Sequence, residues 1–166
     1  PAFATYPGAD GVVRYEEGLR LGYRGLDATG VEPVFCFGHG LTYGSLDWGE
    51  ATLSTTSASI DGLADDPVTL RLTLHNPGDR TLREVVQVYV SDVECSLERP
   101  PQELRGFVTV EVPPGGSLDA LVDLGPRAFA YWDPAVGDWV VEPGAFRVSA
   151  SRSSRNHHAW LSLDLH

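Results

Sequence analysis

Lysine is missing from this sequence: all 12 of its basic Lys+Arg residues are arginine. Arginine binds planar anions through paired hydrogen bonds and stacks on aromatic faces, which lysine does not. These arginines are spread along the whole chain, however, and a GC-rich coding bias accounts for the preference. Positive charge is scarce altogether. Against 23 acidic residues the formal net charge is -11, which argues against nucleic acid or an anionic membrane as partner, since both need a basic footprint. Cysteine is limited to Cys36 and Cys95, with no C-x-x-C pair. A zinc site is therefore not expected. One disulfide is undecided by sequence, and both thiols are expected to be free and partly buried. No apolar run approaches the ~20 residues of a membrane-spanning helix, and no signal peptide is visible. The chain opens on Pro1-Ala2-Phe3 without Met, so further sequence is expected upstream and the compartment stays open. A Ser/His/Asp order, a Gly-rich phosphate loop and Cys/His metal spacing are all lacking, and no cofactor is expected.

What is present describes a small folded domain. At 42% hydrophobic the chain can bury a core, and 166 residues suit one sandwich domain plus a short extra segment. The 18 glycines and 12 prolines suit many short strands joined by tight turns. The strongest strand signal is Glu84-Val85-Val86-Gln87-Val88-Tyr89-Val90-Ser91, with Val86, Val88 and Val90 on one face and Val85, Gln87 and Tyr89 on the other. Residues 68–74 alternate in the same way, with Val68, Leu70, Leu72 and Leu74 facing one side. Further strands are expected at 46–56, 105–112, 117–124, 138–141, 145–151 and 159–165. Short strands punctuated by turns, without a long helical period, predict an antiparallel β-sandwich over residues 45–166. Phe107, Phe129, Tyr131, Trp132, Trp139 and Phe146 are its expected core and rim.

Residues 1–44 read differently. Leu19, Leu21, Tyr23 and Leu26 fit a helix or a strand, and Gly18, Gly22 and Gly25 weaken both. A short helix is preferred, because Gly30 stands where a left-handed residue ends a helix. The following run Phe35-Cys36-Phe37-Gly38-His39-Gly40-Leu41-Thr42-Tyr43 is aromatic and glycine-rich. A segment this short cannot bury its own aromatics, so it is expected to pack on something else.

Two sets of motifs together resemble the C-terminal end of glycoside hydrolase family 3 enzymes. Tyr15-Glu16-Glu17-Gly18-Leu19-Arg20-Leu21-Gly22-Tyr23-Arg24 with Asp27 matches the family's Y-x-E-G-x-x-x-G-Y-R-x-x-D pattern. Glu32-Pro33 and Phe35 through Tyr43 match its E-P-x-F-x-F-G-x-G-L-[ST]-Y run, with Cys36 where the family usually has Pro. The segments Glu84–Asp92, Arg99-Pro100, Glu103–Phe107, Arg127–Asp133, Trp139 and Glu142-Pro143-Gly144 resemble its fibronectin type III-like domain.

The resemblance implies a mainly β fold, in which a fibronectin type III-like sandwich (45–166) follows a short remnant of an α/β domain (1–44). It further implies a parent that is a retaining, exo-acting, β-glucosidase-like enzyme acting on terminal non-reducing β-linked sugars of oligosaccharides or glycosides. Such chemistry needs two carboxyl groups about 5 Å apart. In the family both lie upstream, on a barrel and on the α/β domain, and neither motif occurs here. No catalytic residue is carried over, and this chain alone is expected to be inactive. Its partners would be those upstream domains. Glu17, Tyr23, Arg24, Phe35, Phe37, His39 and Tyr43 are the candidate interdomain contacts. Glu16 and Glu17 beside Arg20 and Arg24 read better as a salt-bridged seat than as catalytic groups. His157 and His158, adjacent on a strand, point to opposite faces and should not chelate together. Trp132, Trp139 and Trp160 read as packing residues, the competing reading being a carbohydrate-stacking platform on a stand-alone binding module.

Overall fold

The computed structural model describes residues 6–166; the first five residues of the leading segment lie outside the described residues. In chain order the elements are α1 (Tyr23–Thr29), β1 (Asp47–Leu53), β2 (Ser57–Ala58), β3 (Val68–His75), β4 (Leu82–Asp92), β5 (Glu103–Val112), β6 (Ser117–Leu124), α2 (Pro126–Phe129), β7 (Tyr131–Asp133), β8 (Asp138–Val140), β9 (Gly144–Ser153) and β10 (Asn156–Leu165). A three-stranded sheet in the order β1-β3-β6 faces a five-stranded sheet in the order β2-β10-β9-β4-β5, and β7-β8 forms a separate hairpin. All pairings are antiparallel except β2 on β10, where Ser57 and Ala58 run parallel to Asp164 and Leu165.

Alternation makes the sandwich. Val68, Leu70, Leu72 and Leu74 of β3 are buried, and they face Val86, Val88 and Val90 of β4 and Val148 and Ala150 of β9 within one core cluster. Phe129 and Phe146 meet edge to face, centroids 5.3 Å apart, where α2 plugs one end. The outward face of the small sheet is laced with polar pairs. Thr69 Oγ1 donates to Asp123, and Arg71 and Thr73 both donate to Asp119.

Every strand expected from the pattern is present. The pattern missed the two-residue β2, the short α2 and β7. The helix ends at Gly30, in the left-handed conformation with φ 67°, but begins only at Tyr23, because Gly22 holds φ 62° and breaks the chain there. Of the aromatics expected at core and rim, Phe129, Tyr131 and Phe146 are buried, whereas Phe107, Trp132 and Trp139 are exposed.

The face of β4 opposite the core is also closed at Gln87 and Tyr89, while Val85 on the same face stays exposed. Gln87 and Tyr89 are as buried as their valine neighbours, because the segment from α1 to Gly38 lies across the five-stranded sheet.

Candidate docking face

The strap formed by residues 23–38 is bound to the sheet by specific contacts. Tyr23 stacks on Phe37 at 4.7 Å and meets Tyr89 edge to face at 6.0 Å, and its hydroxyl accepts the Leu104 backbone N–H at 2.8 Å. Burial pushes the Tyr89 phenol far above the ordinary tyrosine range; Tyr89 donates to Gln87 Oε1 at 2.7 Å. Gln87 Nε2 in turn donates to Gly38 O at 3.0 Å and to Arg152 O at 2.7 Å. Gly38 is required at this approach: with φ 78°, a Cβ there would lie 2.0 Å from Gln87 Oε1. Ser154 donates its backbone N–H to Phe37 O at 2.9 Å, and the Cys36 thiol lies 3.2 Å from Ser153 Oγ. Cys36 and Cys95 are both free and half-buried.

Asp27 pins the helix end of the strap. Its carboxylate accepts from Arg155 Nε at 2.7 Å and from Gln102 Nε2 at 2.8 Å. Arg155 also reaches the carbonyls of Leu26 and Val31, so one guanidinium holds both the last turn of α1 and the chain beyond it. A second cluster sits below. Arg99 bridges Asp92 and Glu103 at 3.0 Å each, Arg105 pairs with the same Glu103, and Arg24 of α1 adds a 3.1 Å contact. Burial works to raise the Glu103 pKa, but the neighbouring Arg105, the Arg99 and Arg105 hydrogen bonds and Arg24 outweigh it and hold the carboxyl below its usual range. At Asp92 burial wins and the pKa is raised despite Arg99.

The candidate contact residues thus divide. Tyr23, Arg24 and Phe37 make their contacts with the sandwich. Phe35 and Tyr43 face outward, 72% and 95% exposed, and Leu41 is equally open. The His39 ring lies 5.3 Å from that of Phe35. Glu17 is half-buried, its carbonyl accepting from the Arg20 backbone N–H, and Arg20 itself pairs with Glu98. His39, Leu41 and Tyr43, but not Phe35, border an open cleft of about 920 Å³ between the connector and β4-β5, floored by Val85, Gln87 and Phe107 and flanked by Arg83 and Arg152. An apolar patch of this kind, rimmed by polar groups, is the anatomy of an interaction surface.

His157 and His158 turn to different partners. His157 Nδ1 lies 2.8 Å from Ser151 Oγ, and His158 Nε2 lies 2.6 Å from Gly49 O. No cluster of three or more metal-ligating side chains occurs among the described residues, and no helix among them is long and apolar enough to cross a membrane. The strap-pinning residues Gln102 and Arg155 carried no sequence signal. Asp27 closed one motif, and Gln87 lay within another as a polar residue between valines. Trp160 packs against His157 at 4.7 Å with Arg147 over its ring, whereas Trp132 and Trp139 lie at the surface.

Comparison with known proteins places this architecture. Residues 84–154 match the fibronectin type III-like domain family. The chain is 38% identical over 156 residues to thermostable β-glucosidase B of Acetivibrio thermocellus, covering 94% of this chain and 20% of that protein. It is 38% identical over 162 residues to a Rhizobium radiobacter β-glucosidase, covering 98% of this chain and 19% of that one. Among solved structures, the Bifidobacterium adolescentis GH3 β-glucosidase superimposes with TM-score 0.88 at 34% identity, over 99% of this chain and 23% of its own. The Kluyveromyces marxianus β-glucosidase does so with TM-score 0.87 at 30% identity, over 100% of this chain and 20% of its own. The chain therefore spans about a fifth of the length of the relatives it matches.

Proposed function

The chain belongs to the C-terminal, fibronectin type III-like portion of glycoside hydrolase family 3 β-glucosidases, and from that premise we propose that it is the accessory end of a retaining, exo-acting β-glycosidase, docking on that enzyme's upstream barrel and α/β domains. The parent hydrolyses terminal non-reducing β-linked sugars from oligosaccharides or glycosides, and this portion supports the fold around a nucleophile and acid/base that lie elsewhere. One observation carries the reading. Large apolar side chains, Phe35 and Tyr43 foremost, stand exposed on a connector held against the sheet by Gly38, Gln87 and Asp27. A rigid display of that kind lowers the ordering cost of association.

The test is reconstitution. The chain is mixed with a separately produced family 3 β-glucosidase truncated before the region that matches this chain, and hydrolysis of an aryl β-glucoside is followed. Neither part is expected to be active alone, and the mixture is expected to gain activity. Clear hydrolysis by this chain alone, or a mixture no more active than its parts, would sink the proposal.

A further inference from the structure

The β7-β8 hairpin carries an aromatic pair that the docking role does not use. Trp132 and Trp139 are cross-strand partners and therefore share one face of the ribbon. Their rings meet edge to face at 5.7 Å. The Arg127 guanidinium lies 3.3 Å from the Trp139 centroid and covers one of its faces. Trp139 is thereby clamped between a cation and a neighbouring indole, and Trp132, 50% exposed, is held by it in a fixed pose. The base of the hairpin is locked as well: Tyr131 donates to Glu142 Oε1 at 2.8 Å, and Ser96 donates to the same carboxylate from its hydroxyl and its backbone N–H. Among the described residues no hydrogen bond or salt bridge joins the hairpin to residues 6–44, so this surface stands apart from the strap.

We infer that Trp132, presented by Trp139 and Arg127, is a stacking subsite for a neutral β-linked glucan chain. A β-glucopyranose ring carries its substituents equatorially, so its axial C–H bonds form apolar faces that match an indole. Its hydroxyls are uncharged donors and acceptors, and the hairpin rim offers both kinds of partner in Arg127, Asp133 and Asp138. The net charge of -11 repels anionic polymers, which leaves a neutral polysaccharide as the matching chemistry. The β-linkage rests on the glycosidase reading above; the indole platform does not.

Electrophoresis of the 166-residue chain through native gels containing hydroxyethyl cellulose, laminarin or dextran tests this. Retardation is expected in at least one of the two β-glucans and not in dextran. Trp132→Ala is expected to weaken it about tenfold or more, and Trp160→Phe, at a packed position, to leave it unchanged. Unretarded migration in both β-glucans, equal retardation in dextran, or full retention by Trp132→Ala overturns the inference. As a check independent of any variant, cello- and laminari-oligosaccharides should change the tryptophan emission of the unaltered chain saturably; a flat titration with both overturns the inference too. Hydrolysis is never read, so failure here leaves the accessory role standing, and failure of reconstitution leaves the indole platform standing.

Discussion

Asp27 has the largest structural consequence of any single carboxylate in the strap. Its side chain is 6% exposed and its two oxygens serve Arg155 and Gln102, from different parts of the sandwich. Removing it leaves Arg155 with two carbonyls and the exposed Glu32, and the buried Gln102 amide nitrogen with Ser154 O alone, and the loss of partners by such groups costs more than the worth of the contacts themselves. Asp27→Ala is expected to lower the unfolding free energy by about 2 kcal/mol in urea melts. Glu32→Ala, an exposed partner of the same Arg155 at 3.5 Å, should change it by less than about 0.5 kcal/mol. Glu142 makes a pH prediction. Hydrogen bonds from the Ser96 hydroxyl and backbone N–H bring its pKa from 4.5 down to about 2. The folded state thus binds this proton less tightly than the unfolded chain. The latch contributes fully above pH 4.5 and is lost as pH falls toward 2. Glu142→Gln should flatten that part of the stability profile when melting is followed between those values, while leaving Trp132 exposed.

At the scale of elements, the strap is the feature the pattern left undecided. Period-two alternation identified β3 and β4 because one face of each must meet the opposite sheet. It could not tell that the second face of β4 is covered at Gln87 and Tyr89, since a Gln and a Tyr between valines suit a solvent face or a covered one equally. What closes it arrives from some fifty residues earlier in the chain, through contacts such as Gln87 to Gly38. The helix illustrates the same limit: Gly30 marked its end through local backbone conformation, whereas its start depended on the turn at Gly22. Residues 23–38 consequently behave as part of the sandwich. Deleting residues 1–44 is expected to expose Tyr89 and Gln87, lower the melting temperature and raise binding of a hydrophobic dye. Deleting only residues 1–21 should leave the melting temperature close to that of the whole chain. Equal effects of the two deletions would show that the strap does not cover the sheet in solution.

For the molecule as a whole, the stabilising core and the proposed docking residues separate spatially. The core between the two sheets holds the fold, while Phe35 and Tyr43 lie outside it. The double variant Phe35→Ser, Tyr43→Ser should therefore shift the chain's own unfolding free energy by no more than about 0.5 kcal/mol, yet weaken its association with the upstream portion about tenfold or more in a pull-down titration. Destabilisation of the isolated chain without loss of association would reverse that assignment.

The amino-acid sequence by itself determined the β-sandwich, the positions of its principal strands along the chain and the family its motifs resemble. Alternation, turn residues and short motifs are local properties, and they act within a few residues. The tertiary structure alone decided which aromatics are covered. Tyr23 packs between Phe37 and Tyr89, while Phe35 and Tyr43 face solvent. Trp160 packs while Trp132 and Trp139 stand at the surface. Exposure depends on which distant segment lies across a given face, and those pairings are set by closing long loops, not by neighbours in sequence.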